Sequence, residues 1–169
     1  MANYKLDAMF EIRKFLWNKI QAAGIFDTED YYSDSLNEVV VPILPVQQVP
    51  EMNQFLSGKK HMIYDKIGIS YENNWMICCE QILFTIYSTD LIDIVEIRNF
   101  MTDEFRRMDD SARDINDWAG LSDKFKFHSI IVADISPTKP SEDLEGFYAS
   151  DLVLEIKYSR ITNNNGKFA

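Results

Sequence analysis

The chain has 169 residues, 46% of them hydrophobic and 13% aromatic, which is enough apolar side chain for one full core and excludes a disordered protein. Seventeen Lys and Arg stand against 27 Asp and Glu, a formal net charge of −10. That balance repels phosphate backbones and anionic lipid, no basic stripe interrupts it, and no apolar run reaches the ~20 residues of a bilayer-spanning helix.

The opening MANYKLDAMFEIRKF is mixed in charge and reads as the start of a helix, not as a signal peptide. Met9, Ile12, Leu16, Ile20 and Ala23 recur at spacings of three and four, which predicts a helix over Tyr4–Ala23 with one apolar face, widened by Phe10, Phe15 and Trp17. Gly24 suits the left-handed residue just past a helix end. The acidic stretch FDTEDYYSDSLNE has no period and reads as an exposed loop holding Tyr31 and Tyr32 side by side. Val39–Val46, VVVPILPV, is apolar and β-branched. Pro42 and Pro45 remove two backbone donors, so it is expected at an edge or as a short strand. Gln47–Gly58 follows as a loop with one helical turn at Glu51–Leu56.

Alternation predicts strands over Ile63–Tyr71 and Trp75–Ser88, joined at Asn73 and Asn74 as a hairpin. Ile67, Ile69 and Tyr71 share one face, and Cys78, Ile82, Phe84 and Ile86 share another, interrupted by Glu80. Leu91, Ile94, Ile97, Met101, Phe105 and Met108 then keep helical spacing, which predicts a helix over Asp90–Met108, capped by Asp90 and with Arg106 and Arg107 suited to its C-terminal dipole. Residues 109–123 read as a polar loop that contains Trp118 and Leu121. Lys124–Ile135 alternates and ends apolar on both faces, the pattern of a central strand, before Pro137 and Pro140 stop it. Phe147–Arg160 turns Leu152, Leu154, Ile156 and Tyr158 inward and Asp151, Glu155 and Lys157 to water. The expected fold is a single α+β domain over residues 1–169, with a core of about 4–161 and a frayed tail at 162–169. It has a mainly antiparallel sheet of four or five strands with two long helices packed on it.

No motif of nucleotide, hydrolase or metalloprotease chemistry occurs. Cys78 and Cys79 are adjacent, so they point to opposite faces of a strand and form neither a redox pair nor a chelate. His61 and His128 lack local carboxylate partners and read as sheet residues rather than as a base or metal ligands. Glu80 is either a buried functional carboxylate or, as preferred here, a residue at a sheet end or paired with Lys or Arg across the sheet. Asp27, Glu29, Asp30 and Asp34 approach metal-loop spacing but lack the glycine and terminal glutamate of a calcium loop, and read as solvated surface. No catalytic residue, cofactor or metal is therefore expected.

The helix, the proline-bearing VVVPILPV, the hairpin YDKIGISYENNWMICCEQILFTIYSTD running into LIDIVEIRNFMTDEFRRMD, and the closing pair FKFHSIIVADISPTKP and GFYASDLVLEIKYSRI together resemble the tail-terminator and tail-completion proteins of long-tailed phages, in particular neck proteins of T4-like myoviruses. The resemblance is one of element order and texture over about residues 4–161. It implies a virion protein without enzymatic activity, assembled in the host cytoplasm. Its copies would form a ring, usually a hexamer, that caps the tail tube and contacts tube, sheath or head connector. DNA would pass nearby without specific binding, and no membrane is involved. Loop chemistry, not the resemblance, nominates Tyr31, Tyr32, Val41, Phe55, Leu56 and Trp118 as interface residues, because they place aromatic or apolar anchors amid polar sequence. A small α+β enzyme or ligand-binding domain, and an adaptor that binds a host protein through the acidic tyrosine loop, are the competing readings.

Overall fold

A computed structural model describes residues 7–49, 53–73, 76–106 and 108–161. Within them the chain is α+β, with three α-helices, a mixed sheet of six strands and a separate two-stranded sheet.

Helix α1, Ala8–Ala22, starts where the Asp7 side chain accepts from Met9 N at 2.9 Å. It ends in paired bonds from Gly24 N to Gln21 O (3.0 Å) and from Ile25 N to Ile20 O (3.4 Å). Gly24 takes φ 75°, the left-handed conformation that this closing motif needs. Met9, Ile12, Phe15, Leu16 and Ile20 are buried, as their spacing predicts. Residues 4–6 of the expected helix lie outside the described residues.

The acidic segment is folded rather than a plain loop. A 3-10 turn at Thr28–Tyr31 leads to β1 (Tyr32–Ser33), which pairs antiparallel with β2 (Glu38–Val39). Strand β3 (Ile43–Pro45) is short and at an edge, as its prolines require, but it runs parallel to β4 and makes the sheet mixed. Strands β4 (His61–Glu72) and β5 (Ile77–Ser88) form the expected antiparallel hairpin. Trp75, Asn74 and part of the Glu51–Leu56 turn fall outside the described residues.

Helix α2 spans Leu91–Glu104, and Asp90 caps it by accepting from Ile92 N at 2.9 Å. It stops short of the expected Met108 because Phe105 leaves helical geometry and drops into the core. Helix α3, Met108–Asn116, occupies sequence that reads as loop. Among its described side chains Ser111, Ala112 and Ile115 are buried and Arg113 and Asp114 exposed, an amphipathic pattern that the reading as loop overlooks. Strands β6 (Phe125–Ile135), β7 (Lys139–Pro140) and β8 (Tyr148–Arg160) complete the sheet in the order β3-β4-β5-β8-β6, with β7 also on β8. The strand count exceeds the expected four or five because the short β3 and β7 join it.

Strand β6 is at the edge, not central. Its apolar character reflects helix α3 packed along it, and Asn116 stands where a further strand would pair. The Asn116 carboxamide donates to Phe127 O (2.8 Å) and accepts from Phe127 N (2.9 Å).

Cross-strand register puts Met62, Ile86, Phe84, Ile82, Leu152, Leu154, Ile156 and Tyr158 on one sheet face, and these join α1, Ile94, Ile97, Met101 and Phe105 in one buried cluster. The helices thus cover a single face. The other carries Asp65, Gln81, Leu83, Thr85, Val153, Glu155 and Lys157 and stays partly open. Among the described residues no helix is long and apolar enough to cross a membrane.

Candidate functional site

Element lengths decide where the sheet outruns its cover. Strand β4 has 12 residues, about 40 Å of extended chain. Helices α1 and α2, with 15 and 14 residues, are only about 22 Å long. The far half of β4 therefore runs on uncovered beside the sheet edge, while β5 stays paired with β8 as far as Cys78. Ile69 and Tyr71 lie on the face that is core elsewhere, paired across to Glu80 and Cys78, yet Ile69 is 60% exposed. Ile67 sits at a register shift between Lys66 and Gly68 and is also exposed. Met76, beside the turn, is 67% exposed. Strand β3 pairs with β4 only from Met62 to Tyr64. From Asp65 to Glu72, no strand pairs with the outer edge of β4 among the described residues. An open strand edge of this kind is a ready template for another chain.

Glu80 anchors this end of the sheet from below. Its side chain is buried, its Oε1 accepts from the Tyr158 hydroxyl at 2.6 Å, and Cys78 Sγ lies 4.0 Å from the same oxygen. Among the described residues Oε2 has no hydrogen-bond partner, but Lys66 Nζ stands 3.6 Å away, beyond hydrogen-bond reach and within strong Coulombic range. Lys66 also pairs with Asp7 Oδ1 at 2.9 Å, tying the cap of α1 to the hairpin. Burial alone would lower the Lys66 pKa, but the bond to Asp7 and the Glu80 charge raise it. Glu80 is thus paired with a lysine across the sheet. Burial is the main cause that pushes the Tyr158 phenol far above its ordinary pKa, with Cys78 and Glu80 adding to it, so the phenol is a fixed donor.

The six nominated interface residues do not form one surface. Tyr31 is buried, with its ring against Phe26 (5.5 Å) and its hydroxyl on Lys60 O (2.5 Å). Leu56 is buried as well, and Val41 and Phe55 are partly buried against the core. Lys59 Nζ lies over both Phe55 (4.1 Å) and Tyr31 (5.9 Å), which places those two together. Trp118 is elsewhere, edge-on to Phe15 at 5.8 Å. Tyr32 alone of the six is exposed, and its hydroxyl donates to Asn37.

His61 is buried, with Nδ1 2.8 Å from Lys59 O and its ring stacked on Tyr87, and burial lowers its pKa. His128 is exposed on β6, with Nε2 2.7 Å from Ser159 Oγ. The two cysteines point to opposite faces as free thiols, and burial pushes both pKa values up, away from nucleophilic thiolate. Among the described residues no three of His, Cys, Asp and Glu are grouped to hold a metal ion.

Sequence reasoning missed the uncovered end of β4 because alternation places Ile69 and Tyr71 on one face without saying where its cover ends. The signal available was length, since two long strands joined by a tight turn exceed any helix in the chain. No protein-family model matches the chain, and no curated protein matches it.

Proposed function

We propose that the chain is a structural subunit that assembles with its own copies into the neck ring of a long-tailed phage, capping the tail tube and joining it to the head-side connector. The observation that carries this reading is the uncovered stretch of β4 from Asp65 to Glu72. It combines an open strand edge with Ile67, Ile69 and Tyr71 held out in solvent, as Met76 is beside the turn. A neighbour that adds a strand to this edge satisfies the backbone and buries those side chains together. Because Asn116 occupies the β6 edge at Phe127, the two sheet edges differ. Contact between unlike surfaces closes into a ring when the rotation allows. The order of six and the virion setting rest on the resemblance in element order. The net charge of −10 suits a wall past which DNA slides without sticking. In this role the chain is not an enzyme and needs no cofactor.

Native mass spectrometry tests this directly. The wild type is expected as one closed homo-oligomer, and Ile69→Lys as monomers with an unchanged melting temperature, since an exposed site contributes within about 0.5 kcal/mol to the fold. A wild type that stays monomeric at tens of micromolar, and does not bind purified tail tubes, overturns the proposal.

A further inference from the structure

On the helix-free face, a cavity of about 310 Å³ forms where Val46, Val49, Asp143 and Leu144 meet strands β4 and β5. Its floor is Ile63, Leu83 and Thr85, with Ile63 and Thr85 directly opposite in register. Tyr87 closes one end. That side chain is only 8% exposed, its ring is held from behind by His61 at 5.2 Å, and its hydroxyl has no hydrogen-bond partner among the described residues. Thr85 Oγ1 donates its proton to Asp151 Oδ1 at 2.8 Å, so its lone pairs remain available as acceptors. Asp65 and Asp143 line the cavity, neither joins an ion pair among the described residues, and no lining residue is basic. Burial first, then Asp143 and Asp151, raise the Tyr87 pKa, which keeps the phenol neutral at physiological pH.

Apolar walls thus meet a lining that holds two carboxylates and no basic side chain. An anion would be repelled, and a neutral hydrocarbon would leave the Tyr87 hydroxyl without a partner and the two carboxylates without a counter-charge. We propose that this cavity binds an alkylammonium group, with its hydrocarbon against Ile63, Leu83 and Leu144 and its charge drawn to Asp65, Asp143 and the Tyr87 oxygen. The volume fits a small ligand or one side chain, so the group belongs either to a free aliphatic amine or to a lysine of another protein. Ring assembly and this cavity use different faces, and failure of one leaves the other standing.

The test is calorimetric titration of the full chain with n-pentylammonium, with 1-pentanol, and with a short lysine peptide in free and Nε-acetylated forms. Pentylammonium is expected to saturate and to bind at least roughly tenfold tighter than pentanol, the difference that a charged hydrogen bond supplies. Asp143→Asn and Tyr87→Phe should each weaken the amine while leaving the melting temperature unchanged, because Asp143 is exposed and the Tyr87 hydroxyl is unbonded. Binding of the free but not the acetylated peptide assigns the group to a protein lysine, and binding of the free amine alone assigns it to a small molecule. Pentanol binding as tightly as the amine, no saturation by the amine at millimolar concentration, or unchanged affinity in both variants overturns the proposal.

Discussion

Replacing Tyr158 with Phe removes one hydroxyl and almost no volume. In the folded chain that hydroxyl is the one strong hydrogen bond of the Glu80 carboxylate, at 2.6 Å, with each residue only 2% exposed. Without it, Oε1 keeps only the thiol contact at 4.0 Å, Oε2 still has no hydrogen-bond partner, and Lys66 stays 3.6 Å away. Losing a hydrogen bond to a buried charged group costs about 2–3 kcal/mol. For a chain of this size that lowers the melting temperature by roughly 4–12 °C. Glu80→Met alone also costs about 1–3 kcal/mol, because it strands the Tyr158 hydroxyl in an apolar site. The double variant Glu80→Met with Tyr158→Phe removes both orphans and should lie close to the wild type, well above the sum of the singles. Urea unfolding at pH 7 followed by circular dichroism, with thermal melts alongside, measures all four corners of the cycle. A Tyr158→Phe variant within about 0.5 kcal/mol of wild type, or strictly additive singles, would refute this account of Glu80.

Phe105→Asp should leave the protein unfolded at 37 °C, since it combines loss of a buried aromatic, about 3–5 kcal/mol, with an unpaired charge in the core; a cooperative wild-type melt would show that the end of α2 is misplaced. Gly120→Ala should push the Trp118 ring, which a Cβ there would overlap, off Phe15, costing about 0.5–1.5 kcal/mol of edge-to-face contact beyond the strain; an unchanged melt would mean that the indole contributes nothing to the fold. Acid should destabilise the chain through His61. Burial holds its folded pKa below the unfolded value of about 6.5, so its contribution is complete above that value and is lost as pH falls through it towards the folded pKa. His61→Phe keeps the stack on Tyr87 and should flatten the fall in melting temperature between pH 7 and 5. His128, also lowered by partial burial, supplies a remainder; equal slopes in variant and wild type would exclude His61 as a source.

Much of the fold was legible because local rules and tertiary packing agree. Helix α1 shows its buried face at spacings of three and four and its end at Gly24, and α2 shows its start at Asp90. The hairpin and β8 show their inward sides by alternation, and the prolines of β3 confine it to an edge. Helix α3 was missed although Ala112 and Ile115 stand at helical spacing, because nine mostly polar residues read as loop and rely on β6 for their order. The edge position of β6 was hidden for the same reason, because a strand covered by a helix and a strand between neighbours both read as apolar.

For the candidate site the division is sharper. The sequence by itself determined that Glu80 interrupts an apolar face and that large side chains sit at Ile67, Ile69 and Tyr71, since strand periodicity is set by the backbone. Only the tertiary structure decided that Glu80 meets Tyr158 and Lys66, that the hairpin end outruns the helices, and that Tyr31 and Leu56 turn inward rather than toward a partner. It also brought Tyr87, Asp65 and Asp143 around one cavity from β5, β4 and a loop 56 residues beyond Tyr87. Such meetings depend on which strands become neighbours and how far each cover reaches. Those are properties of the assembled layers, and no window along the chain contains them.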